Sequence, residues 1–173
     1  MPFLKKNWKK FAYPIAGLLI LALGFWLWLP ANGLPAAGKF LRWKFDDVQH
    51  RIPAQVASQL DRNTTVIWDI RHADEFAISH LPNARHVPPE TPDSELQQLL
   101  PDANQTIIVY CAVGYRSAQM ARRLQALGHS NVINLEGAIF AWAEEGLPLE
   151  GGDKVHPYNA MGRRMLADEL EAE

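Results

Sequence analysis

The sequence predicts an α/β domain, with a central parallel sheet flanked by helices, preceded by one transmembrane helix. Residues 65–70 and 107–110 are nearly continuous β-branched apolar runs, which are typical of strands buried on both faces. From about residue 47, strand-like segments alternate with helical ones, a pattern that indicates a parallel sheet. Residues 11–38 carry no charged side chain, and this predicts the membrane helix.

The N-terminal apolar segment has the length of a bilayer-spanning helix. Residues 11–30 would extend about 30 Å as a helix, the thickness of the hydrocarbon core. Tryptophans near both ends suit the two membrane interfaces. The basic residues 1–10, with four lysines, predict a cytoplasmic N-terminus and a domain on the far side of the membrane, periplasmic in a Gram-negative bacterium. A cleaved signal peptide, which would leave a soluble periplasmic protein, is the alternative.

Residues 31–46 predict a juxtamembrane linker, because they begin with Gly, Pro and Ala. The aromatic and basic residues that follow allow two arrangements. Phe40, Trp43 and Phe45 either lie on the headgroups of the lipid bilayer or form the first packed segment of the domain. The sequence leaves both open.

The predicted domain covers residues 47–149 and contains alternating strands and helices. The strands are residues 48–52, 65–70, 85–87, 107–110 and 132–135. The helices are residues 53–60, 73–79, a helix capped by Asp93 or Ser94 that ends at residue 100, 117–127 and 138–145. A C-terminal tail, residues 150–173, is predicted to form a short amphipathic helix at 160–172. That helix either packs on the domain or forms a flap or a partner-docking helix near the site.

Charge and cysteine content exclude several function classes. The chain has 17 Lys and Arg against 19 Asp and Glu; the N-terminal lysines account for about +4, so the part after residue 38 carries about −6. A domain of that sign predicts no nucleic-acid partner. The single cysteine, Cys111, excludes an internal disulfide and a two-thiol redox motif. The histidines lack metal-ligand spacing, so neither a metal nor a cofactor is predicted.

The loop after the strand at 107–110 has the composition of an anion-binding site. Ligands bind at the carboxyl ends of parallel strands, and Cys111 stands at this end. Gly114 allows a loop whose N–H groups turn inward, the next helix contributes its positive end, and Arg116 adds a fixed charge. We therefore expect Cys111 to react as a thiolate. A buried structural cysteine is the alternative.

Five segments, in this order and spacing, resemble the rhodanese family. They are residues 69–71 (DIR) with 74–76 (DEF), 79–84 (SHLPNA), 111–117 (CAVGYRS), 131–138 (NVINLEGA), and Trp142 with 146–148 (GLP). The resemblance covers residues 47–149 and implies a three-layer α/β fold. It also implies that Cys111 is the nucleophile and carries sulfur as a persulfide. The sulfur comes from a donor such as thiosulfate and passes to a thiophilic acceptor such as cyanide or a thiol.

The resemblance also implies roles for the loop that follows Cys111. Backbone donors would come from Ala112, Val113, Gly114, Tyr115 and Arg116, and Arg116 would orient an anionic donor. The family often has Gly where this chain has Ser79, Asn83 and Ala138. Asn83 can adopt the left-handed turn conformation of a glycine, whereas Ser79 and Ala138 indicate local backbone differences. The loop is one residue shorter than that of related phosphatases, so it has room for one sulfur atom rather than for a phosphate.

These observations predict a membrane-anchored sulfurtransferase. The alternative is a non-catalytic or relay module that binds a protein partner at the membrane; the identity of that partner is not predicted. Outside the loop, Asp69 is expected to bind N–H groups of the neighbouring turn and Arg71 to pair with Asp74 or Glu75. His80 and Trp142 are expected to be structural.

Overall fold

The protein forms a five-stranded sheet between two layers of helices. The computed structural model describes residues 8–61 and 63–172. The strands are β1 (Gln49–Arg51), β2 (Thr65–Asp69), β3 (Arg85–His86), β4 (Thr106–Tyr110) and β5 (Val132–Leu135). The helices are α1 (Trp8–Lys44), α2 (Pro53–Gln59), α3 (Ala73–Ile78), α4 (Asp93–Leu99), α5 (Tyr115–Ala126), α6 (Ala138–Glu144) and α7 (Ala160–Met165), followed by a 3₁₀ turn at Asp168–Leu170.

The sheet has the order β1-β5-β4-β2-β3, and its neighbouring strands pair in parallel. Successive residues of a strand point to opposite faces. Accordingly, Ile108 and Tyr110 of β4 belong to one buried cluster, with residues of α2, α6 and α7. Ile107 and Val109 belong to the other, with residues of α4 and α5. The predicted fold class is confirmed.

Helix α1 has two halves with different surroundings. Large apolar side chains are exposed from Phe11 to Trp28, whereas Leu29, Leu41 and Phe45 are buried in the domain. The helix is long and apolar enough to cross a membrane over its Tyr13–Lys44 part. Leu29 contributes to one core cluster and Leu41 to the other, so the C-terminal half of α1 crosses from one face of the sheet to the other.

The prediction of a linker at residues 31–46 is corrected by the structure, in which the chain stays helical to Lys44 and packs on the domain. Of the aromatic residues for which two arrangements were left open, Phe45 is packed in the domain, whereas Phe40 and Trp43 are exposed.

Pro30 and Pro35 lie inside this helix, although each removes a backbone hydrogen bond. Tertiary contacts compensate for that loss. One of them is the close approach of α7 at Gly33, where a Cβ atom would lie 2.7 Å from Met165 Cγ.

Three smaller predictions also differ from the structure. Helix α4 is capped by Pro92 without a side-chain hydrogen bond, so neither Asp93 nor Ser94 is the cap. Helix α5 begins at Tyr115 rather than Ser117. The tail forms a six-residue α7 instead of a helix over 160–172; the Asn159 side chain caps it by accepting from two backbone N–H groups.

Candidate active site

The loop predicted to bind an anion lies at the carboxyl end of β4, in the middle of the sheet. Cys111 is 1% exposed, and its Sγ accepts a hydrogen bond from the Gly114 N–H at 3.1 Å. Gly114 has φ of 106° and precedes α5, a conformation that a residue with a Cβ rarely adopts. The glycine thus turns its N–H back towards the sulfur.

Ser117 is a site residue that sequence reasoning did not identify. Its hydroxyl lies on the first turn of α5 and donates to Cys111 Sγ at 3.6 Å. The first N–H groups of a helix have no partner within it, and the positive helix end favours a negatively charged atom. Cys111 therefore faces an N–H, a hydroxyl and a helix N-terminus, a combination that stabilises a thiolate.

Arg116 pairs with a carboxylate from another element. Its Nη1 and Nη2 donate to the two Glu75 oxygens at 3.0 and 3.1 Å, and the Glu75 side chain is only 2% exposed. Burial opposes the charge of Arg116 and is the largest single effect, but the hydrogen bonds that Arg116 donates to Glu75 and the negative charges around it together outweigh burial, so the pKa of Arg116 is raised. The predicted role of Arg116 in orienting an anionic donor stays a prediction, to which the structure adds a compensating carboxylate.

Tyr158 of the tail covers this pair. The Arg116 guanidinium carbon lies 4.2 Å from the centre of the Tyr158 ring, and Tyr158 has a left-handed backbone with φ of 64°. The contact brings the turn before α7 beside the active loop. Helix α7 itself packs on the domain, which is one of the arrangements predicted for it, because Met165 and the following Leu166 are buried in a core cluster.

A hydrogen-bond network of β5 and β1 residues holds the Gly114 carbonyl of the loop in place. Asn134 of β5 donates through Nδ2 to the Gly114 carbonyl at 3.1 Å and lies 3.1 Å from His50 Nδ1. The other ring nitrogen of His50 lies 3.0 Å from the Phe45 carbonyl. Because Phe45 directly follows α1, this network connects the end of that helix with the active loop.

Helix α1 also borders the site at the exposed Tyr115, the side of the loop that we call its mouth. The Lys44 ammonium donates to the Tyr115 hydroxyl at 2.9 Å, and the Phe45 ring contacts the Tyr115 ring edge-on at 5.5 Å. Of the predicted binding residues, Ala112 and Gly114 are buried, Val113 and Arg116 are half-buried and Tyr115 is exposed. All five lie in one turn above Cys111.

Asp69 and Arg71 form a buried pair at the neighbouring strand end. Arg71 Nη2 donates to Asp69 Oδ2 at 2.6 Å, so the predicted pairing of Arg71 with Asp74 or Glu75 is wrong. The prediction for Asp69 is confirmed, since Oδ1 accepts the Arg71 N–H at 3.0 Å. The Tyr110 hydroxyl donates to the same carboxylate at 2.7 Å. Burial and the Asp69 charge raise the pKa of Tyr110 well above 10.0.

Of the three positions that depart from glycine, two keep a backbone conformation that favours glycine and one does not. Asn83 and Ala138 adopt left-handed conformations, with φ of 61° and 49°, while Ser79 is extended. Ser79 donates through its hydroxyl to the Lys154 carbonyl at 2.5 Å and so ties α3 to the tail.

Within residues 8–61 and 63–172, no group of three His, Cys, Asp or Glu side chains is arranged to hold a metal ion.

Comparison with known proteins gives consistent matches. The sequence model of one protein family, the rhodanese-like domain, matches residues 52–145. A sulfurtransferase from Allochromatium vinosum is 33% identical over 89 residues, which are 51% of this chain and 81% of the relative. A tRNA uridine(34) hydroxylase from Erwinia tasmaniensis is 30% identical over 124 residues, 66% of this chain but 35% of the relative. The chain thus spans about a third of that hydroxylase.

The fold is also similar to solved structures. The crystal structure of a thiosulfate sulfurtransferase from Pseudomonas aeruginosa matches with a TM-score of 0.57 and 26% sequence identity. The match covers 69% of this chain and 23% of that one. Helix α1 and the tail after α6 lie outside the family match at residues 52–145, although both contact the active loop.

Proposed function

Because this chain belongs to the rhodanese-like domain family, we propose that it is a membrane-anchored sulfurtransferase that carries sulfane sulfur on Cys111. The surroundings of Cys111 Sγ carry this proposal: the Gly114 N–H lies at 3.1 Å and the Ser117 hydroxyl at 3.6 Å. Both groups favour a negatively charged sulfur atom, first as the thiolate and then as the persulfide. A merely structural cysteine needs neither donor.

The first half-reaction transfers sulfur to the protein. The Cys111 thiolate attacks the outer sulfur of thiosulfate and forms a new S–S bond. The bond between that sulfur and the sulfonate sulfur breaks, and sulfite leaves with the electron pair. Cys111 then carries a persulfide anion, which the donors of the loop stabilise. The thiolate has no proton to lose, so this step requires no general base.

The second half-reaction releases the sulfur. An acceptor nucleophile, cyanide or a thiolate, attacks the outer sulfur of the persulfide and forms a bond to it. The S–S bond to Cys111 breaks, and its electron pair returns to Sγ, which regenerates the thiolate. The product is thiocyanate or a persulfide of the acceptor. The protein ends each cycle in its initial state.

The loop and the charge of the domain favour sulfur transfer over three alternatives: a phosphatase, an RNA-modifying enzyme and a partner-binding module. A six-residue loop from Cys111 to Arg116 fits one sulfur atom better than a phosphate group. The relatives named tRNA uridine(34) hydroxylase share about a third of their length with this chain, and its acidic domain does not offer the positive surface that RNA binding uses. The same loop supports sulfur chemistry rather than a purely partner-binding module.

Turnover from thiosulfate to cyanide tests the enzymatic proposal. We expect the full chain in detergent to form thiocyanate and Cys111→Ser to form none, because the oxygen nucleophile is too weak. Ala126→Ser is a matched control that adds a hydroxyl at an exposed position of α5, away from the loop. Equal thiocyanate formation by wild type and Cys111→Ser would overturn the proposal and leave the partner-binding alternative.

The membrane location is a separate part of the proposal. The exposed apolar side chains of α1 and the lysines before them support an anchor with a cytoplasmic N-terminus. Protease added to spheroplasts should digest the domain and spare cytoplasmic markers. Protection of the domain would contradict the orientation, and a soluble product that begins after residue 31 would contradict the retained anchor.

A further inference from the structure

The cations around the mouth of the Cys111 loop are almost all compensated by carboxylates. Arg116 pairs with Glu75, Arg122 with Asp47 and Arg42 with Glu136. In each pair the arginine donates hydrogen bonds to both carboxylate oxygens. An anion that reaches the loop therefore meets guanidinium groups that already have a partner of opposite charge.

Lys44 differs from these arginines. It forms no ion pair with a carboxylate in the described part of the chain, and its ammonium donates to the Tyr115 hydroxyl at 2.9 Å. It lies 5.0 Å from the centre of the Tyr115 ring. An ammonium has three N–H donors, so two remain after this bond. Because the tyrosine oxygen accepts from Lys44, the tyrosine O–H is left to donate elsewhere.

We infer that Lys44, with the hydroxyl of Tyr115, recognises the anionic group of the sulfur donor, so that helix α1 supplies a specificity residue to the active site. This inference rests on the proposed sulfurtransferase function. The sulfane sulfur of a thiosulfate-type donor must enter the narrow loop to reach Cys111 Sγ. Its bulkier sulfonate end then remains at the mouth, where Lys44 and Tyr115 offer N–H and O–H donors.

The position of Lys44 makes the inference particular to this chain. Lys44 is the last residue of α1 and precedes the residues that match the family model, 52–145. The helix cannot move away freely, because Leu41 and Phe45 on either side of Lys44 are buried in the core. A Cβ atom at Gly114 would lie 3.0 Å from Leu41 Cδ1, so this part of α1 directly contacts the active loop.

The test compares two alkylating reagents that differ in charge. Iodoacetate is anionic and iodoacetamide is neutral, and both modify Cys111, the single cysteine. Taking the ratio of their rates cancels changes in accessibility or intrinsic reactivity of the thiol. We expect Lys44→Gln in the full chain to lower the iodoacetate-to-iodoacetamide ratio about two- to five-fold, since one cation at the mouth is lost. Lys44→Arg should keep the ratio of the wild type.

Lys39→Gln is the matched control, because it removes the same charge from an exposed position of the same helix. An unchanged ratio in Lys44→Gln, or an equal decrease in Lys39→Gln, would overturn the inference. In thiosulfate turnover, Lys44→Gln should raise KM more than it lowers kcat. Alkylation of Cys111 requires no sulfur transfer, so the two proposals can fail separately. A protein without turnover would disprove the proposed function, and the ratio of alkylation rates would still show whether Lys44 attracts anions to Cys111.

Discussion

Two arginine–carboxylate pairs stand near the carboxyl edge of the sheet, and they differ in what surrounds them. The Arg71–Asp69 pair is completely enclosed, with both side chains at 0% exposure. In the Arg116–Glu75 pair, the arginine side chain is 17% exposed. Arg116 is part of the active loop and contacts the Tyr158 ring. The same kind of ion pair is therefore part of the core in one place and part of the border of the active site in the other.

The partners of each pair explain the difference. Asp69 and Arg71 bind the Tyr110 hydroxyl and the Ser79 carbonyl, so that pair joins β2, β4 and the end of α3. Arg116 connects α5 with α3 and lies in the loop that follows Cys111. We expect the first pair to determine mainly stability and the second mainly activity.

The largest expected effect is on stability, in Asp69→Asn. This change leaves the Arg71 charge buried without a counter-ion, and loss of one partner of a buried pair costs about 3–5 kcal/mol. Urea unfolding should report this loss in the free energy of unfolding. The double variant Asp69→Asn/Arg71→Gln should recover part of it, because the buried charge is gone. A loss below about 1 kcal/mol, typical of surface pairs, would contradict the assignment.

The second effect concerns activity, in Arg116→Ala. The change removes the predicted charge-assisted contact between Arg116 and the anionic sulfur donor, worth about 1.5–3 kcal/mol, so kcat/KM for thiosulfate should fall roughly 10–150-fold. Arg123→Ala is the control, since Arg123 lies on the same helix but pairs with Asp93. Similar losses of kcat/KM in both variants would contradict a specific role of Arg116 and indicate a general disturbance of helix α5.

The third effect is a pH dependence carried by Tyr110. Its pKa is raised in the folded protein by burial and by Asp69, so the folded state retains the tyrosine proton at a pH where the unfolded chain releases it. This stability is fully present below the unfolded pKa and is lost as the pH rises above about 10, with a slope of up to about 1.4 kcal/mol per pH unit. Tyr110→Phe should flatten that decline in unfolding experiments; an unchanged slope would refute the prediction.

The smallest effect is expected for Tyr158, which is 46% exposed. A cation–π contact at such a site contributes about 0.5–1 kcal/mol, so Tyr158→Leu should lower kcat/KM for thiosulfate about two- to five-fold. Tyr158→Phe keeps the ring and should match the wild type. If both variants were equally impaired, the hydroxyl rather than the ring would be the important group.

Much of the fold could be predicted because the strongest sequence signals are local. The β-branched runs that become β2 and β4 are apolar on both faces, and the structure buries both faces. The loop from Cys111 to Arg116 was recognised for the same reason, since strand, glycine and helix start are adjacent in the sequence. Ser117 could have been included from its place in the first turn of α5.

Features that depend on distant residues could not be predicted in this way. Glu75 and Arg116 are 41 positions apart, and Tyr158 reaches the site from the tail. The C-terminal half of α1 contains Pro30, Pro35, Gly33 and Gly38, which favour a linker by local propensity. Packing of Leu29, Leu41 and Phe45 on the domain overrides that propensity and extends the helix to the active loop.

Intact mass of the full chain after incubation with thiosulfate tests the central claim most directly. We expect the wild type to gain the mass of one sulfur atom, to release one equivalent of sulfite, and to lose the added mass again when cyanide is supplied. Cys111→Ser should gain nothing. A wild-type protein that stays unmodified and releases no sulfite would contradict sulfur transfer through Cys111.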